Sequence, residues 1–385
     1  MYERLLTPHL ARSRKGVLLL GPRQTGKSTL LRAMKPDLSI NLASPATFRL
    51  YVTRPERLEE ELRAAPRSVK TILIDEVQRV PALLDAIQVL IDEFPRRFRF
   101  LLSGSSARKL RRGHANLLPG RVQTHNLHPL LAHELGSDWS LNRALAHGTL
   151  PGIYAETDRA TREADLRGYA DAYLREEIQA EALVREVGGY ARLLDHAAAA
   201  SGRILNVNAL SQDSGVRYET ARRYLEILED TLVAFRVPAW SGSDRAGLVA
   251  HSKLFLFDLG VRNALLRRPL NQPLDDERGL LLKHLVAYEL YRRTGTLWPE
   301  ARLLHYRTKH GAEVDFVLEN GRDVWGIEVK SSRDAPRGAL TGLDSLAERI
   351  PRLLRRIVVF LGPRKIVRGA TEFWPLEEFL DALPR

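Results

Sequence analysis

Residues 17–28 read VLLLGPRQTGKS, an apolar run that leads directly into Gly21-x-x-x-x-Gly26-Lys27-Ser28. The apolar run predicts a buried strand, and the stretch from Thr29 to Met34 predicts a helix. Between them, glycines let backbone N–H groups turn inward around an anion at the positive end of that helix. A lysine in this place reaches the β and γ phosphates of a nucleotide, and the hydroxyl of the next residue ligates Mg²⁺. The pattern therefore predicts ATP contacts from Gly21, Pro22, Arg23, Gln24, Thr25, Gly26, Lys27, Ser28 and Thr29. Lys27 takes a catalytic role and Ser28 a metal-binding one.

About fifty residues on, Thr71-Ile-Leu-Ile-Asp75-Glu76 reads as a second buried strand ending in two carboxylates. Asp75 at the strand tip is placed to hold Mg²⁺, and Glu76 to orient and activate an attacking water. A third apolar run, 98–102, ends in Ser103-Gly104-Ser105-Ser106. Ser103, with Ser105 beside it, is the candidate for bonding the γ-phosphate or the lytic water. An amphipathic stretch at 82–94 predicts a helix between strands. The fold class expected for the first part of the chain is α/β, a parallel sheet built around the phosphate loop.

Composition narrows the partners. Of 385 residues, none is cysteine, which excludes disulfides and thiolate metal sites and suits a cytoplasmic location. No apolar run approaches membrane-spanning length, so no membrane partner is expected. The net charge of +12 is uneven: residues 1–150 hold 24 Lys and Arg against 13 Asp and Glu, whereas residues 151–385 hold 35 against 34. A basic face of that size attracts a polyanion, most commonly nucleic acid. A basic cluster, Arg108, Lys109, Arg111 and Arg112, precedes Pro119-Gly120-Arg121. Arg121, on a turn exposed by Gly120, is the first candidate to neutralise transition-state charge, from a neighbouring subunit.

Taken in order, GPRQTGKSTLL, LIDEVQRVPALL, LLSGSSA, LLPGRV and GAEVDFV with IEVKSS resemble a prokaryotic ATPase family. Its members resemble AAA+ proteins at the N-terminus and carry a C-terminal domain long labelled as of unknown function. The resemblance extends over nearly the whole chain. It implies an AAA+ core, a winged-helix module and a C-terminal nuclease-like fold. It also implies a homo-oligomeric ring, commonly a hexamer, with an arginine finger acting across the interface. Arg121 stands where that family has its Gly-Arg after the sensor strand. The domains expected are 1–150 (ATPase), 151–270 (helical and winged helix–turn–helix) and 275–385 (nuclease-like).

Residues 208–228, NALSQDSGVRYETARRYLEIL, carry an apolar stripe with Gly215 at the turn between two short helices. The second helix would expose Arg217, Tyr218, Thr220, Arg222 and Arg223, types suited to phosphates and groove edges. Arg217, Arg222 and Arg223 are the DNA-binding candidates. The runs 232–240 and 253–258, with SGSDRAG between, read as a wing. Such modules also serve as packing lids, so fold alone leaves both uses open.

Past a Pro- and Asp-rich linker at 269–279, a helix is expected over 280–293 and strands near 303–306, 313–318 and 324–330. Asp315 lies in one strand and Glu328-Val-Lys330 in the next, with Glu328 and Lys330 on one face by alternation. Two carboxylates and a lysine can assemble Mg²⁺-dependent phosphodiester hydrolysis. The arrangement resembles the PD-(D/E)XK nuclease pattern, with Glu289 on the preceding helix as a possible fourth member. Relatives commonly carry an acid where this chain has Lys283, which thins the helix contribution. The reading is a Mg²⁺-dependent ATPase that remodels or translocates on DNA, branched DNA in repair or recombination included. An ATP-gated nuclease and a nucleotide-regulated protein-interaction switch are the alternatives.

Overall fold

The computed structural model describes residues 2–105, 118–173, 187–241, 248–270, 275–295, 297–335, 341–350 and 352–384. They divide into two compact units, Met1–Leu130 with Asp230–Val233, and Leu131–Glu229 with Ala234–Arg385.

The first unit is built on a five-stranded sheet. The three expected apolar runs form β1 (Gly16–Leu20), β3 (Thr71–Asp75) and β4 (Arg99–Gly104). Two further strands, β2 (Leu38–Asn41) and β5 (Val122–Asn126), lie at the edges. They carried no apolar run to betray them, because an edge strand buries little of itself. The order is β2-β3-β4-β1-β5 and every pairing is parallel. Parallel strands need crossovers, which the helices Lys27–Ala33 and Leu83–Glu93 help supply. Strand alternation divides the core in two. Leu18, Leu20, Ile72, Ile74, Phe100 and Leu102 pack on one face, and Val17, Leu19, Leu73 and Leu101 on the other. Each side chain so buried contributes about 1.5–3 kcal/mol. Because β4 lies between β1 and β3, the tip bearing Ser103 stands between the phosphate loop and the Asp75 strand end.

The second unit holds a two-stranded antiparallel sheet, β6 (Ala234–Val237) with β7 (Lys253–Leu256), and a six-stranded mixed sheet. The latter comprises β8 (Ala301–Arg307), β9 (Glu313–Asn320), β10 (Asp323–Val329), β11 (Leu353–Phe360), β12 (Ile366–Arg368) and β13 (Thr371–Pro375). Its order is β12-β13-β11-β10-β9-β8. β8, β9 and β10 form an antiparallel meander. β11 then joins β10 in parallel after the Thr341–Arg349 helix crosses over. That helix packs so close that a Cβ on Gly342 would lie 1.9 Å from the Glu313 carbonyl oxygen, which only glycine avoids. The expected helix over 280–293 forms as Arg278–Thr294. Two helices, Val207–Ser214 and Tyr218–Asp230, meet at Gly215, whose left-handed φ of +65 is the turn between them. Residues 242–247 of the expected wing, and 271–274 of the expected linker, lie outside the described residues.

Candidate functional sites

β1 delivers the chain into the loop, and the Lys27–Ala33 helix leaves it from Gly26, at φ +93. The loop is packed from beneath. A Cβ at Gly21 would stand 2.1 Å from the Leu127 carbonyl oxygen, so no other residue fits there. Thr25 Oγ1 donates to the Pro22 carbonyl at 2.8 Å, closing the turn. The Lys27 Nζ donates to the Gly21 and Pro22 carbonyls at 2.8 and 2.9 Å, so its ammonium sits inside the loop. Arg23, Gln24 and Thr29 are exposed at the loop's rim, with Gln24 at a left-handed φ of 59.

The acidic strand end meets this loop directly. Ser28 Oγ donates to Asp75 Oδ1 at 2.7 Å across 47 residues of sequence. Ser103 Oγ also bonds Asp75 Oδ1, and accepts from the Glu76 backbone N–H at 3.0 Å. Glu76 itself stands in the left-handed region, φ 62 and ψ 43, which costs a non-glycine residue about 1–3 kcal/mol. Two neighbours hold it there: Ser103 through the backbone, and Gln78, whose Nε2 donates to Glu76 Oε2 at 2.5 Å and to Ser105 Oγ at 3.1 Å. Lys27, Ser28, Asp75, Glu76 and Ser103 are thus brought together. Ser28 Oγ and the Asp75 carboxylate are hard oxygen donors, the kind Mg²⁺ takes when phosphates and water complete its shell. The donor set fits the ion.

Three residues of this site were not legible in sequence. Arg4, almost buried, donates to the Thr25 carbonyl at 2.8 Å and to the His128 carbonyl at 2.5 Å, bracing the loop from the N-terminus. Arg32 pairs with Asp75 Oδ2 at 3.3 Å. Gln78 is the third. No local pattern marks Arg4; Gln78 had a weak signal, two residues past the acidic pair.

Arg121 follows Gly120, whose φ is +78, and its guanidinium bonds Asp92, which raises the Arg121 pKa above its ordinary value. The basic cluster Arg108, Lys109, Arg111 and Arg112, and Ser106, lie outside the described residues.

In the second unit, Arg217, Tyr218, Arg222 and Arg223 are exposed on the Tyr218–Asp230 helix and its approach, while Ala221, Tyr224, Leu225 and Leu228 are buried. Arg222 lies between two acids, Glu219 at 3.5 Å and Glu226 at 3.9 Å.

In the C-terminal sheet, Asp315 and Glu328 stand one residue past the Phe316–Ile327 pair of β9 and β10. Asp315 Oδ2 accepts from the Val329 N–H at 2.9 Å, and Lys330 Nζ lies 3.2 Å from Glu328 Oε2. Burial and the Asp315 charge push Glu328 up to about 8. Lys283 turns inward onto Asp315 Oδ1 at 2.7 Å. Against the opposing cost of burial, that pair holds Lys283 above and Asp315 below their ordinary values. Glu289 is bonded elsewhere. It is fully buried, ion-paired with Arg293, and accepts from the Ala132 N–H at 2.7 Å. The helix explains the difference, since six residues place 283 and 289 about 120° apart around its axis.

Residues 13–136 match the model of an AAA domain. The N-terminal region is thus similar to an AAA domain. Such a domain suggests a P-loop nucleotide hydrolase, and the parallel sheet around the loop fits that type. Two further matches, over residues 138–272 and 278–379, are to domains of unknown function. An uncharacterized protein of Mycobacterium tuberculosis and another of Mycobacterium bovis are each 26% identical over 373 residues, covering 96% of this chain and 79% of theirs. Among solved structures, C. elegans PCH-2 aligns at 14% identity and TM-score 0.20, over 58% of this chain and 63% of that one. A Vibrio cholerae protein aligns at 12% identity and TM-score 0.18, over 90% and 89%. Neither structural likeness carries weight beside the AAA domain match. Among the described residues, no helix is long and apolar enough to cross a membrane.

Proposed function

We propose that this protein is a Mg²⁺-dependent ATPase of the cytoplasm that uses hydrolysis to remodel or move along DNA, branched forms included. The observation that carries the reading is the convergence of Ser28, Asp75, Ser103 and Glu76 beside the phosphate loop. Mg²⁺, when bound, neutralises charge on the β and γ phosphates. Ser28 and Asp75 would hold it. Lys27 exchanges its loop carbonyls for phosphate oxygens, and the Glu76 carboxylate accepts the proton of the attacking water. Gln78 and Ser103 fix where that carboxylate stands.

DNA is supported by the charge of the first 150 residues and by Arg217, Arg222 and Arg223 on one exposed helix and its approach. AAA kinship supports a ring, commonly a hexamer, in which Arg121 serves a neighbour's site. The test is the ATPase rate with no DNA, and with duplex, single-stranded and branched DNA, beside a cleavage gel. Stimulation without scission is expected. An ATPase indifferent to every DNA would end the DNA reading and leave the hydrolase.

A further inference from the structure

The charged cluster of the C-terminal sheet has the carboxylates of a metal site and the wrong neighbours for a metal. Asp315 is 1% exposed; its Oδ2 accepts from the Val329 N–H, and its Oδ1 is ion-paired with the Lys283 ammonium at 2.7 Å. A second ammonium, Lys253 Nζ, lies 3.9 Å from the same oxygen and 2.7 Å from Glu313 Oε1. Arg307 adds a further cation, 3.4 Å from Glu313, and Lys330 another, 3.2 Å from Glu328.

Four cations therefore face three carboxylates, Asp315, Glu313 and Glu328. The balance of the group is already positive without any added ion. A divalent ion on Asp315 Oδ1 would meet the Lys283 ammonium in a largely desolvated place, where like charges repel strongly. Among the described residues, no group of three or more His, Asp or Glu side chains is arranged to hold a metal. A Mg²⁺-dependent cutting centre does not fit these residues.

We infer that Lys283 is a tethered cation holding the place a divalent metal would need, and that this site is metal-independent and takes a phosphodiester anion. Lys283 and Lys330 are its rim, each about one-third exposed while Asp315 and Glu328 beneath are buried. Only the choice of ligand rests on the DNA reading above; the exclusion of metal does not.

The experiment is a Mn²⁺ titration of the full-length protein without nucleotide, followed by electron paramagnetic resonance, on the parent, D315N, K283E, K283Q and K283E/D315N. The parent is expected to show no site that depends on Asp315. K283E is expected to gain one Mn²⁺ bound ~10-fold or more tighter than background, lost again in K283E/D315N. K283Q removes the charge and leaves a shorter polar side chain, and covers the case in which K283E fails to fold. A Mn²⁺ site in the parent that D315N removes overturns the inference, as does folded K283E or K283Q that gains none. Duplex DNA binding, measured in EDTA and in Mg²⁺, is expected to be equal and to weaken several-fold in K283Q. Binding abolished by EDTA overturns metal independence. No binding in either buffer removes the DNA ligand while the Mn²⁺ result stands.

Discussion

Asp92 grips Arg121 through two parallel bonds, from Nε at 2.8 Å and from Nη2 at 2.7 Å. The pair is solvent-accessible, and an accessible pair of this kind exchanges partners readily. Arg121 is therefore held but not locked. If it serves a neighbouring subunit, mixing inactive Lys27→Ala with inactive Arg121→Ala protein restores part of the turnover. Asp92→Asn, which releases the guanidinium, leaves turnover intact or raises it. No recovery in assemblies shown by light scattering to mix counts against action in trans.

Glu76→Gln is expected to bind ATP and hydrolyse it at least ~10²-fold more slowly, the usual loss for a water-activating group. Lys27→Ala abolishes turnover. Gln78→Ala lowers kcat with little change in KM, because the amide positions Glu76 without touching nucleotide. Near-native turnover by Glu76→Gln would show that another group activates the water.

DNA affinity is expected to fall steeply with salt, because each neutralised phosphate releases counterions. Replacing Arg222 and Arg223 with Ala should flatten that slope by roughly one to two units. An unchanged slope would place the Tyr218–Asp230 helix away from DNA.

Stability should decline in mild acid. Burial pushes the His147, His284 and His305 imidazoles down to about 4, 3 and 4, from 6.5. Below pH 6.5 the unfolded chain takes up these protons and the folded chain refuses them, so stability is lost as pH falls toward 4. Glu328, pushed up to about 8, works in the opposite sense: the folded state holds its proton first, which offsets one of the three. The four groups together leave a loss of roughly 2–3 kcal/mol per pH unit near pH 5.5. Urea midpoints at about pH 7 and pH 5.5 measure it. A midpoint unmoved between them would mean that the imidazoles are accessible to protons in the folded state.

What the sequence determined by itself is local. The apolar runs at 17–20, 71–74 and 98–102 had to be buried strands, because backbone alternation and hydrophobic burial act over a few residues. The spacing Gly21-x-x-x-x-Gly26-Lys27-Ser28 likewise marked the turn from the first strand into the helix that starts at Lys27. The edge strands β2 and β5 escaped notice because half or more of their residues are polar, and only pairing with β3 and β1 defines them.

Tertiary structure decided which distant groups meet. Ser28 reaches Asp75 across 47 residues because the order β3-β4-β1 sets the phosphate loop and the Asp75 strand end at the C-terminal edge of the sheet, and Arg4 reaches the loop from the N-terminus. The same holds at the C-terminal sheet. Sequence placed Asp315, Glu328, Lys330, Glu289 and Lys283 within reach of one another and could not say which would turn inward. Helix rotation relative to the sheet chose Lys283 over Glu289, and with that choice a carboxylate pair suited to a metal became an ammonium-bound one. Such a choice depends on the packing of a whole helix, a sum over many contacts that no short stretch of sequence contains.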